Sequence, residues 1–253
     1  MDKNFDSLAV RLEKKIYGTE KGQIRYQLLK EDILDHCPGF KEAKLIILDA
    51  GGGTGRFSRF CASYDHSVLL CDISNEMLSI AERENSQKNL DKKIRITRKD
   101  LTRISPGQEG LFDFVLLHGV AEWMDDPEMA IRHCISLIKP GGCFSLLVYN
   151  KNKYLLKRGF NGRLLTRDNF NRKSRKLTPT GRMSPQEIKD IFNDYSGEII
   201  LQSGIRIFNN FLKIIEPQPL SSEEWMEQER LYYRKEPFAS LGEHTHFLWQ
   251  KKL

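Results

Sequence analysis

Long apolar runs and a leader-like N-terminus are both missing from this 253-residue sequence. No apolar run approaches the roughly 20 residues that a membrane-spanning helix needs. The first ten residues, "MDKNFDSLAV", contain no basic stretch followed by an apolar one, which a secretion signal would require. With 40% hydrophobic and 29% charged residues, the chain is expected to be a globular cytoplasmic protein without a membrane partner.

Paired cysteines are missing as well. The number of cysteines is odd, and no two of them show the C-x-x-C spacing of a zinc or redox site. Three lie in or beside apolar runs that are typical of a core. We therefore expect reduced thiols, no disulfide framework and no bound metal; the cysteines are Cys37, Cys61, Cys71, Cys134 and Cys143.

Two common nucleotide-binding patterns are absent from the glycine-rich stretch "LDAGGGTG". The dinucleotide fingerprint would need glycine or alanine at position 56 or 58, where the chain has Arg56 and Ser58. A P-loop would need Gly-Lys-Ser/Thr, which does not occur there. What remains is an acid, Asp49, followed by alternating glycines after an apolar run. This pattern predicts a strand-to-helix turn whose main chain a ligand can approach.

Apolar runs alternate with helical periodicities between residues 45 and 150, which predicts a parallel, doubly wound α/β sheet. Ser74 is expected to cap a helix over 74–87 whose Met77 faces inward, and "KPGG" to stop the helix before the fifth strand. Predicted strands cover 45–50, 67–73, 94–101, 112–118, 143–150, 199–208 and 244–252. We divide one domain into an N-terminal helical cap (1–40), a cofactor-binding core (41–150), a basic insertion (151–183) and a C-terminal helix–strand part (184–253).

Acidic residues follow the predicted strands in order. Asp72 ends the second strand about twenty residues past the glycine turn, where an acid accepts hydrogen bonds from ribose hydroxyls. Asp100 ends the third strand and could face an adenine amino group, with Arg98 and Lys99 contributing backbone. Asp49 taken alone is equally well explained as an acid that caps the turn.

Together, the glycine turn, Asp72 in "DISNEML", Asp100 and "KPGG" resemble the class I S-adenosylmethionine-dependent methyltransferases. The resemblance covers roughly Leu45 to Asn150. It implies S-adenosylmethionine as cofactor and a Rossmann-like, seven-stranded, mostly parallel sheet with an antiparallel last strand.

Further stretches narrow the resemblance to bacterial tRNA 5-carboxymethoxyuridine methyltransferases. They are "NFDSLAVRLEKKIYGTEKGQIRYQLL", "LLHGVAEWMDDP", "LIKPGGCFSLLVYN", "GIRIF" and "YYRKEPFASLGEHTHF". The similarity runs nearly end to end. It implies transfer of a methyl group to the carboxylate of 5-carboxymethoxyuridine at the wobble position of a tRNA anticodon stem-loop, giving the methyl ester.

The resemblance also implies roles for single residues. Arg25 would contact the carboxylate of the cofactor, Gly51 and Gly52 would line its methionine part, and Asp72 would hold its ribose. His118 would close the site. The remaining expected cofactor contacts are Asp49, Gly53, Met77, Arg98, Lys99 and Asp100, although Arg98 and Lys99 depart from the small or neutral residues expected at those positions.

The predicted substrate changes the meaning of His118 in "LLHGVAEWMDDP". A carboxylate is ionised at neutral pH, so the reaction needs positioning and water exclusion rather than a general base. We therefore interpret His118 as a binding and shielding residue, with Trp123 packing over the site or within the core. Arg206 is the first candidate for the substrate carboxylate, although an edge-strand arginine facing solvent is the alternative. Tyr149 is a candidate polar contact or a core tyrosine.

The basic charge is concentrated. Eleven of the 40 lysines and arginines fall between Lys151 and Arg182 with one acid, Asp168, although the whole chain has a formal net charge of only +6. Interleaved aromatic residues make this segment suited to phosphates and unpaired bases; a flexible solvated insert is the alternative. The expected RNA contacts are Lys157, Arg158, Arg163, Arg172, Lys173, Arg175 and Lys176.

Two other functions remain open from the sequence. A small-molecule carboxyl or quinone O-methyltransferase would use the same scaffold without needing the basic segment. A non-enzymatic RNA-binding protein could retain a vestigial cofactor fold, although the glycine turn is intact. Neither the oligomeric state nor the tRNA isoacceptors follow from the sequence.

Overall fold

Apolar strands followed by amphipathic helices build a sheet with helices on both faces. In the computed structural model, the described residues are Asp6, 18–160, 181–208 and 221–253. The strands are β1 Ile46–Ala50, β2 Ser67–Asp72, β3 Ile94–Arg98, β4 Phe112–His118, β5 Ile138–Tyr149, β6 Gly197–Ile205 and β7 His244–Lys251. The helices are α1 Glu20–His36, α2 Arg56–Ser63, α3 Asn75–Gln87, α4 Pro106–Glu109, α5 Pro127–Ser136, α6 Lys151–Phe160, α7 Pro185–Asn193 and α8 Ser222–Tyr232.

The seven strands form one sheet in the order β3-β2-β1-β4-β5-β7-β6. Strands β1 to β5 are parallel, and β7 runs antiparallel to both β5 and β6. This arrangement confirms the predicted mostly parallel sheet with an antiparallel last strand. Since the carboxyl ends of parallel strands meet at one edge, the acids and glycines that follow β1, β2 and β3 are brought to the same edge.

The two faces of the sheet bury separate apolar clusters. One cluster packs α5 and α7 against Phe144, Phe247 and Trp249. The other packs α1, α2 and α3 against Phe114 and neighbouring strand residues. Strands β1, β2 and β4 are buried almost throughout, which explains their continuous apolar sequences.

Local signals in the sequence account for several helix boundaries. The Ser74 hydroxyl accepts a hydrogen bond from the Met77 N–H, which confirms the predicted cap of α3. Ser184 and Glu187 form a reciprocal capping box at the start of α7, with Pro185 in its first turn. All five cysteines lie buried as free thiols. Within the described ranges, no helix combines the length and apolarity needed to cross a bilayer.

One prediction about the chain after α5 was wrong. "KPGG" does not separate the helix from the fifth strand, because α5 ends at Ser136 and β5 already begins at Ile138. Pro140 lacks an N–H and Gly141 has φ +76°, so the strand bulges there and resumes regular pairing at Cys143. The basic insertion begins with the helix α6.

One glycine on the edge strand is required by its surroundings. A Cβ at Gly204 would lie 2.3 Å from the carbonyl oxygen of Phe238. We expect Gly204→Ala to lower the free energy of unfolding by about 2 kcal/mol or more, because backbone must shift to relieve the overlap. Urea denaturation measures this change.

Gly107→Ala is the matched control, because a Cβ at Gly107 meets nothing within 4 Å. It should leave the unfolding midpoint nearly unchanged. Equal midpoints for the two variants would contradict the close packing of β6 against the turn at Phe238.

Candidate active site at the carboxyl edge of the sheet

The glycine turn after β1 brings main chain to the surface of the site. Gly51 has φ +66°, and a Cβ there would lie 2.6 Å from a methyl group of Val120. A Cβ at Gly52 would lie 2.3 Å from Leu70. The Gly51 N–H is fixed by a 2.8 Å hydrogen bond to the Cys71 carbonyl. Larger residues are therefore excluded at both positions.

Asp49 lies beneath this turn. It is only 2% exposed, and its Oδ2 accepts a 2.6 Å hydrogen bond from the Ser58 hydroxyl. Burial raises the pKa of Asp49 to about 6, against the lowering effect of Ser58. The geometry favours the turn-capping interpretation of Asp49 over direct contact with a ligand.

Asp72 is held in place at the end of β2. The N–H groups of Gly53 and Ser74 donate to its two carboxylate oxygens, at 2.9 and 2.8 Å. Burial raises the pKa of Asp72, although the backbone hydrogen bonds oppose this. A Cβ at Gly53 would lie 3.9 Å from the sulfur of Met77 and 4.0 Å from the Asp72 carboxylate. Gly53 therefore leaves room between two residues predicted to bind the cofactor.

The end of β3 is more polar than a typical adenine pocket. The Lys99 ammonium is turned toward α4, where it donates to Gln108 and Glu109 at 3.2 and 3.0 Å. Arg98 is exposed, and its Nε lies 3.4 Å from the Ile73 carbonyl oxygen. Asp100 caps the following turn by accepting from Thr102. The Lys99 side chain is thus engaged by α4, which leaves its backbone as the part available to a ligand.

The end of β4 contains buried polar atoms without partners. Within the part of the chain that the structure describes, neither Nδ1 of His118 nor either carboxylate oxygen of Glu122 has a hydrogen-bond partner. Glu122 is fully buried, and burial raises its pKa to about 7, opposed by the charges of Arg25 and Arg182. Burial also lowers the pKa of His118 well below its usual value. Leaving such groups unpaired is costly, which is typical of a surface that pairs with a ligand.

A cationic centre lies between these groups and the end of β5. Arg25 on α1 is close enough for its charge to influence His118, Glu122 and Tyr149. The Tyr149 ring packs against the ring of His244, with centroids 4.2 Å apart. Both ring nitrogens of His244 are buried and without partners among the described residues. Tyr149 is half-buried, so it borders the site rather than belonging only to the core.

Arg206 is not a solvent-facing strand residue. It follows β6 with φ +63°, a backbone conformation that is uncommon for residues other than glycine. It is half-buried, and burial lowers the pKa of its guanidinium while Glu243 opposes this. The sequence could not predict this placement, because the apolar neighbours of Arg206 suggested that the strand continued through it.

Buried charged groups hold the backbone beside Arg206. The Lys153 ammonium donates to the Ile207 carbonyl at 2.6 Å, and Glu229 accepts from the N–H groups of Ile207 and Phe208. Burial lowers the pKa of Lys153 to about 8. Contacts from α6, through Lys153, and from α8, through Glu229, therefore fix the turn that contains Arg206.

Both ends of the basic insertion are attached at this rim. The Met183 N–H donates to the Tyr149 carbonyl, and the Lys151 N–H donates to the Met183 carbonyl. The Gly181 N–H donates to the carbonyl of Glu122. Residues on either side of 161–180 are therefore fixed beside the candidate site.

The predicted RNA contacts are described only in part. Lys157 is exposed on α6, and the Arg158 guanidinium lies over the Tyr154 ring at 5.6 Å. Arg182 lies over the same ring at 4.2 Å. The other predicted contacts lie outside the described residues: Arg163, Arg172, Lys173, Arg175 and Lys176.

Two residues of the site received no role from the sequence. Glu122 lies in "LLHGVAEWMDDP" without a pattern that assigns it a function, and His244 lies in a predicted strand. The available signal was "HTHF", which puts two histidines on one face of a strand that is otherwise apolar.

Comparison with known proteins decides the family. The "Methyltransferase domain" family model matches residues 48–146. The tRNA 5-carboxymethoxyuridine methyltransferase of Escherichia coli K12 is 30% identical over 258 aligned positions, which cover 99% of this chain and 97% of that protein. The chain belongs to the S-adenosylmethionine-dependent methyltransferases.

Other members of the family are similar over less of the chain or at lower identity. A ubiquinone biosynthesis O-methyltransferase of Coxiella burnetii is 30% identical over 42% of this chain and 44% of its own. The magnesium protoporphyrin IX methyltransferase of Synechocystis, solved with bound S-adenosylhomocysteine, superposes with a TM-score of 0.62 at 16% identity, covering 98% of this chain and 96% of that one. The fold of this methyltransferase therefore agrees with the family.

The residues at the sheet edge fit the cofactor of the family, S-adenosylmethionine. The space beside Gly53, between Asp72 and Met77, suits a ribose whose hydroxyls donate to the Asp72 carboxylate. The unpartnered Nδ1 of His118 and the charge of Arg25 suit the polar methionine end. Across the described ranges, no group of three or more His, Cys, Asp or Glu side chains is arranged to hold a metal ion.

The buried Glu122 carboxyl makes the stability of the methyltransferase pH-dependent. Its pKa is raised in the folded state, so its contribution is fully present below the ordinary glutamate pKa and is lost as pH rises toward 7. We expect the free energy of unfolding of the wild type, relative to Glu122→Gln, to fall by roughly 1 to 3 kcal/mol between pH 4.5 and pH 7.5. Urea denaturation across this range measures the difference.

Glu223→Gln, at an exposed position on α8, is the control and should show no comparable pH-dependent difference. A constant difference between Glu122→Gln and the wild type at all pH values would show that Glu122 does not titrate in this range.

Proposed function

We propose that this methyltransferase methylates the carboxylate of 5-carboxymethoxyuridine at the wobble position of tRNA. The proposal is carried by one arrangement, a half-buried cationic centre of Arg25 and Arg206 at the rim where both ends of the basic insertion are attached. The near full-length similarity to the Escherichia coli tRNA enzyme supports the same substrate.

The chemistry of a carboxylate substrate matches the groups present. When bound, S-adenosylmethionine supplies an electrophilic methyl group, and a carboxylate is already ionised at neutral pH. The protein must then hold the oxygen in line and exclude water. The Arg206 guanidinium can hold the distal carboxylate oxygen by a charge-assisted hydrogen bond, while Tyr149 and His244 cover the site. In this arrangement, His118 has no proton to remove.

The polyanionic part of the substrate would lie on the basic insertion. The guanidinium groups of Arg158 and Arg182 lie 5.6 and 4.2 Å from the centroid of the Tyr154 ring, next to the attached ends of the insertion. Such planes stack on unpaired bases, and cations beside them contact phosphates. An anticodon loop offers both features within the reach of a site at the tip of β5.

A small-molecule carboxyl or quinone substrate is the second candidate. The ubiquinone biosynthesis relatives favour it, but they match only 42% of this chain. A match of this extent leaves more than half of the chain outside the similarity. A small-molecule substrate would also give the basic insertion no function.

The test is methyl transfer in vitro to tRNA isolated from cells that lack the enzyme. Mass spectrometry of the digested nucleosides should find the methyl ester of 5-carboxymethoxyuridine and no other new methylated nucleoside. Transfer to aromatic carboxylates or phenols in the absence of tRNA, with none to tRNA, would support the second candidate and overturn the first.

Replacing Arg206 should affect the substrate and spare the cofactor. We expect Arg206→Gln to lower kcat/KM for tRNA about 10- to 100-fold, because a charge-assisted hydrogen bond to the carboxylate is lost. The affinity for S-adenosylhomocysteine, measured by calorimetry, should change less than twofold.

Arg230→Gln is the control, since Arg230 pairs with Glu31 on the exposed side of α8. It should leave both quantities unchanged. If Arg206→Gln weakened cofactor affinity as strongly as kcat/KM, Arg206 would belong to the cofactor site.

Neutralising the basic insertion should reduce the salt dependence of tRNA binding. Changing Arg172, Lys173, Arg175 and Lys176 to glutamine is expected to weaken binding and to reduce the slope of log K against log salt by roughly one for each lost phosphate contact. A filter-binding titration in NaCl measures the slope.

The matched control replaces four exposed lysines at the opposite, amino-terminal edge of the sheet: Lys41, Lys88, Lys92 and Lys252. Equal slopes for the two quadruple variants would contradict a role for the insertion in RNA binding.

A further inference from the structure

A continuous chain of hydrogen bonds runs behind His118 into the core. The Nε2 of His118 lies 2.7 Å from the Ser145 hydroxyl, and the same hydroxyl lies 2.8 Å from Nε2 of His246. Nδ1 of His246 then lies 2.7 Å from Oδ2 of Asp32. Ser145, His246 and Asp32 are fully buried, so water does not compete for these contacts.

The chain crosses the sheet on one face. His118 is on β4, Ser145 on β5, His246 on β7 and Asp32 on α1, which covers that face. Its inner end is the Asp32 carboxylate, which also accepts from the Ser203 hydroxyl and, at 2.9 Å, from Nε of Arg234. Its outer end is Nδ1 of His118, which faces no partner within the described residues.

The direction of the protons along the chain follows from the Asp32 end. Although burial alone would raise it, the pKa of Asp32 is held below its usual value by His246, Ser203 and Arg234. An ionised carboxylate only accepts, so Nδ1 of His246 carries a proton. Arg234 donates to Asp32 and also to Asp35, but Asp35 is half-exposed and solvent screens its charge. Arg234 therefore mainly compensates the fully buried Asp32, and a cation at His246 would be a second buried charge without a buried counter-ion. His246 is therefore neutral, and its Nε2 accepts.

Once Nε2 of His246 accepts, the directions of the remaining hydrogen bonds are fixed. The single hydroxyl proton of Ser145 is donated to His246, so Ser145 can only accept from His118. His118 must then be protonated on Nε2, which leaves the lone pair of Nδ1 directed outward. A buried aspartate that fixes the tautomer of a histidine is a known device in catalytic sites.

We propose that Asp32, His246 and Ser145 are positioning residues that hold His118 as the neutral, Nε2-protonated tautomer, so that its Nδ1 accepts a hydrogen bond from the ammonium group of the cofactor. An accepting nitrogen repels carboxylates, which excludes both the substrate carboxylate and that of the cofactor as its partner. The donors of S-adenosylmethionine are the ribose hydroxyls, the adenine amino group and the ammonium group. Asp72 and the end of β3 take the first two, and β1 separates both strands from β4.

The tautomer can be observed directly. Long-range ¹H–¹⁵N correlation spectra of the full-length protein labelled with ¹⁵N-histidine distinguish protonated from unprotonated ring nitrogens. The His118 signals are those lost in His118→Asn. We expect Nε2 protonated and Nδ1 unprotonated in the wild type without ligand; a protonated Nδ1 would overturn the proposal.

Asp32→Asn should reverse the donor and acceptor roles along the hydrogen-bond chain. The Nε of Arg234 requires an acceptor, so the new amide oxygen takes the place of Oδ1 and the amide nitrogen faces His246. His246 then accepts on Nδ1 and donates from Nε2, Ser145 donates to His118, and Nδ1 of His118 becomes protonated. We expect the spectrum to show this reversal and the affinity for S-adenosylhomocysteine to fall about tenfold or more.

Ser145→Ala interrupts the chain without changing a charge and keeps the proposal testable where Asp32→Asn fails to fold. We expect Ser145→Ala to bind S-adenosylhomocysteine more weakly than the wild type does. This difference in affinity should disappear with an S-adenosyl analogue that lacks the amino group, because the lost partner is the ammonium. Ser203→Ala is the control, since it removes another hydrogen bond to Asp32 and leaves the chain intact. Folded Ser145→Ala protein that binds S-adenosylhomocysteine within twofold of the wild type would overturn the proposal.

Discussion

The buried carboxylate of Asp32 joins parts of the molecule that are far apart in sequence. It accepts hydrogen bonds from β6, through Ser203, and from β7, through His246, and it pairs with Arg234 after α8. A buried charge must be paired, and removing its ionic partner typically costs about 3–5 kcal/mol. Helix α1 with Arg25, strand β7 with His244, and strand β6, which Arg206 follows, are therefore held together by one group. The site depends on the contacts of Asp32 because its residues come both from α1 and from the region of β6 and β7.

The polar groups of the site differ from those around Asp32 in whether they have hydrogen-bond partners. In the core, Asp32, His246 and Ser145 all have partners in the hydrogen-bond chain that ends at His118. At the edge, the outer nitrogen of His118, the carboxylate of Glu122 and the ring of His244 have none within the described residues. The fold thus places satisfied polar groups where they stabilise it and unsatisfied ones where a ligand completes them. The pKa of Glu122, raised to about 7 by burial, measures part of the cost.

The sequence predicted those parts of the fold and site that depend on neighbouring residues. The turn after β1 follows from adjacent glycines, and the cap of α3 follows from Ser74 and the residues three positions on. The chain behind His118 was not predictable in this way, because Asp32 and His246 are 214 residues apart and Ser145 lies within an apolar run typical of core. The conformation of Arg206 depends likewise on Lys153 and Glu229, which contact the next residue from two different helices. Such contacts between distant residues can be predicted only when the strand order is known.

In the proposed reaction, the group to be methylated arrives already ionised, so the protein binds and positions it but removes no proton. Proton release during turnover distinguishes this reaction from methyl transfer to a neutral group. Methyl transfer from a sulfonium to a carboxylate releases no proton, whereas transfer to a neutral hydroxyl or to an amine releases one for each methyl group. In weakly buffered solution with a pH indicator, and with tRNA from cells that lack the enzyme, we predict no acidification as methyl groups accumulate. Release of one proton per transferred methyl group would show that the methylated group is not a preformed carboxylate.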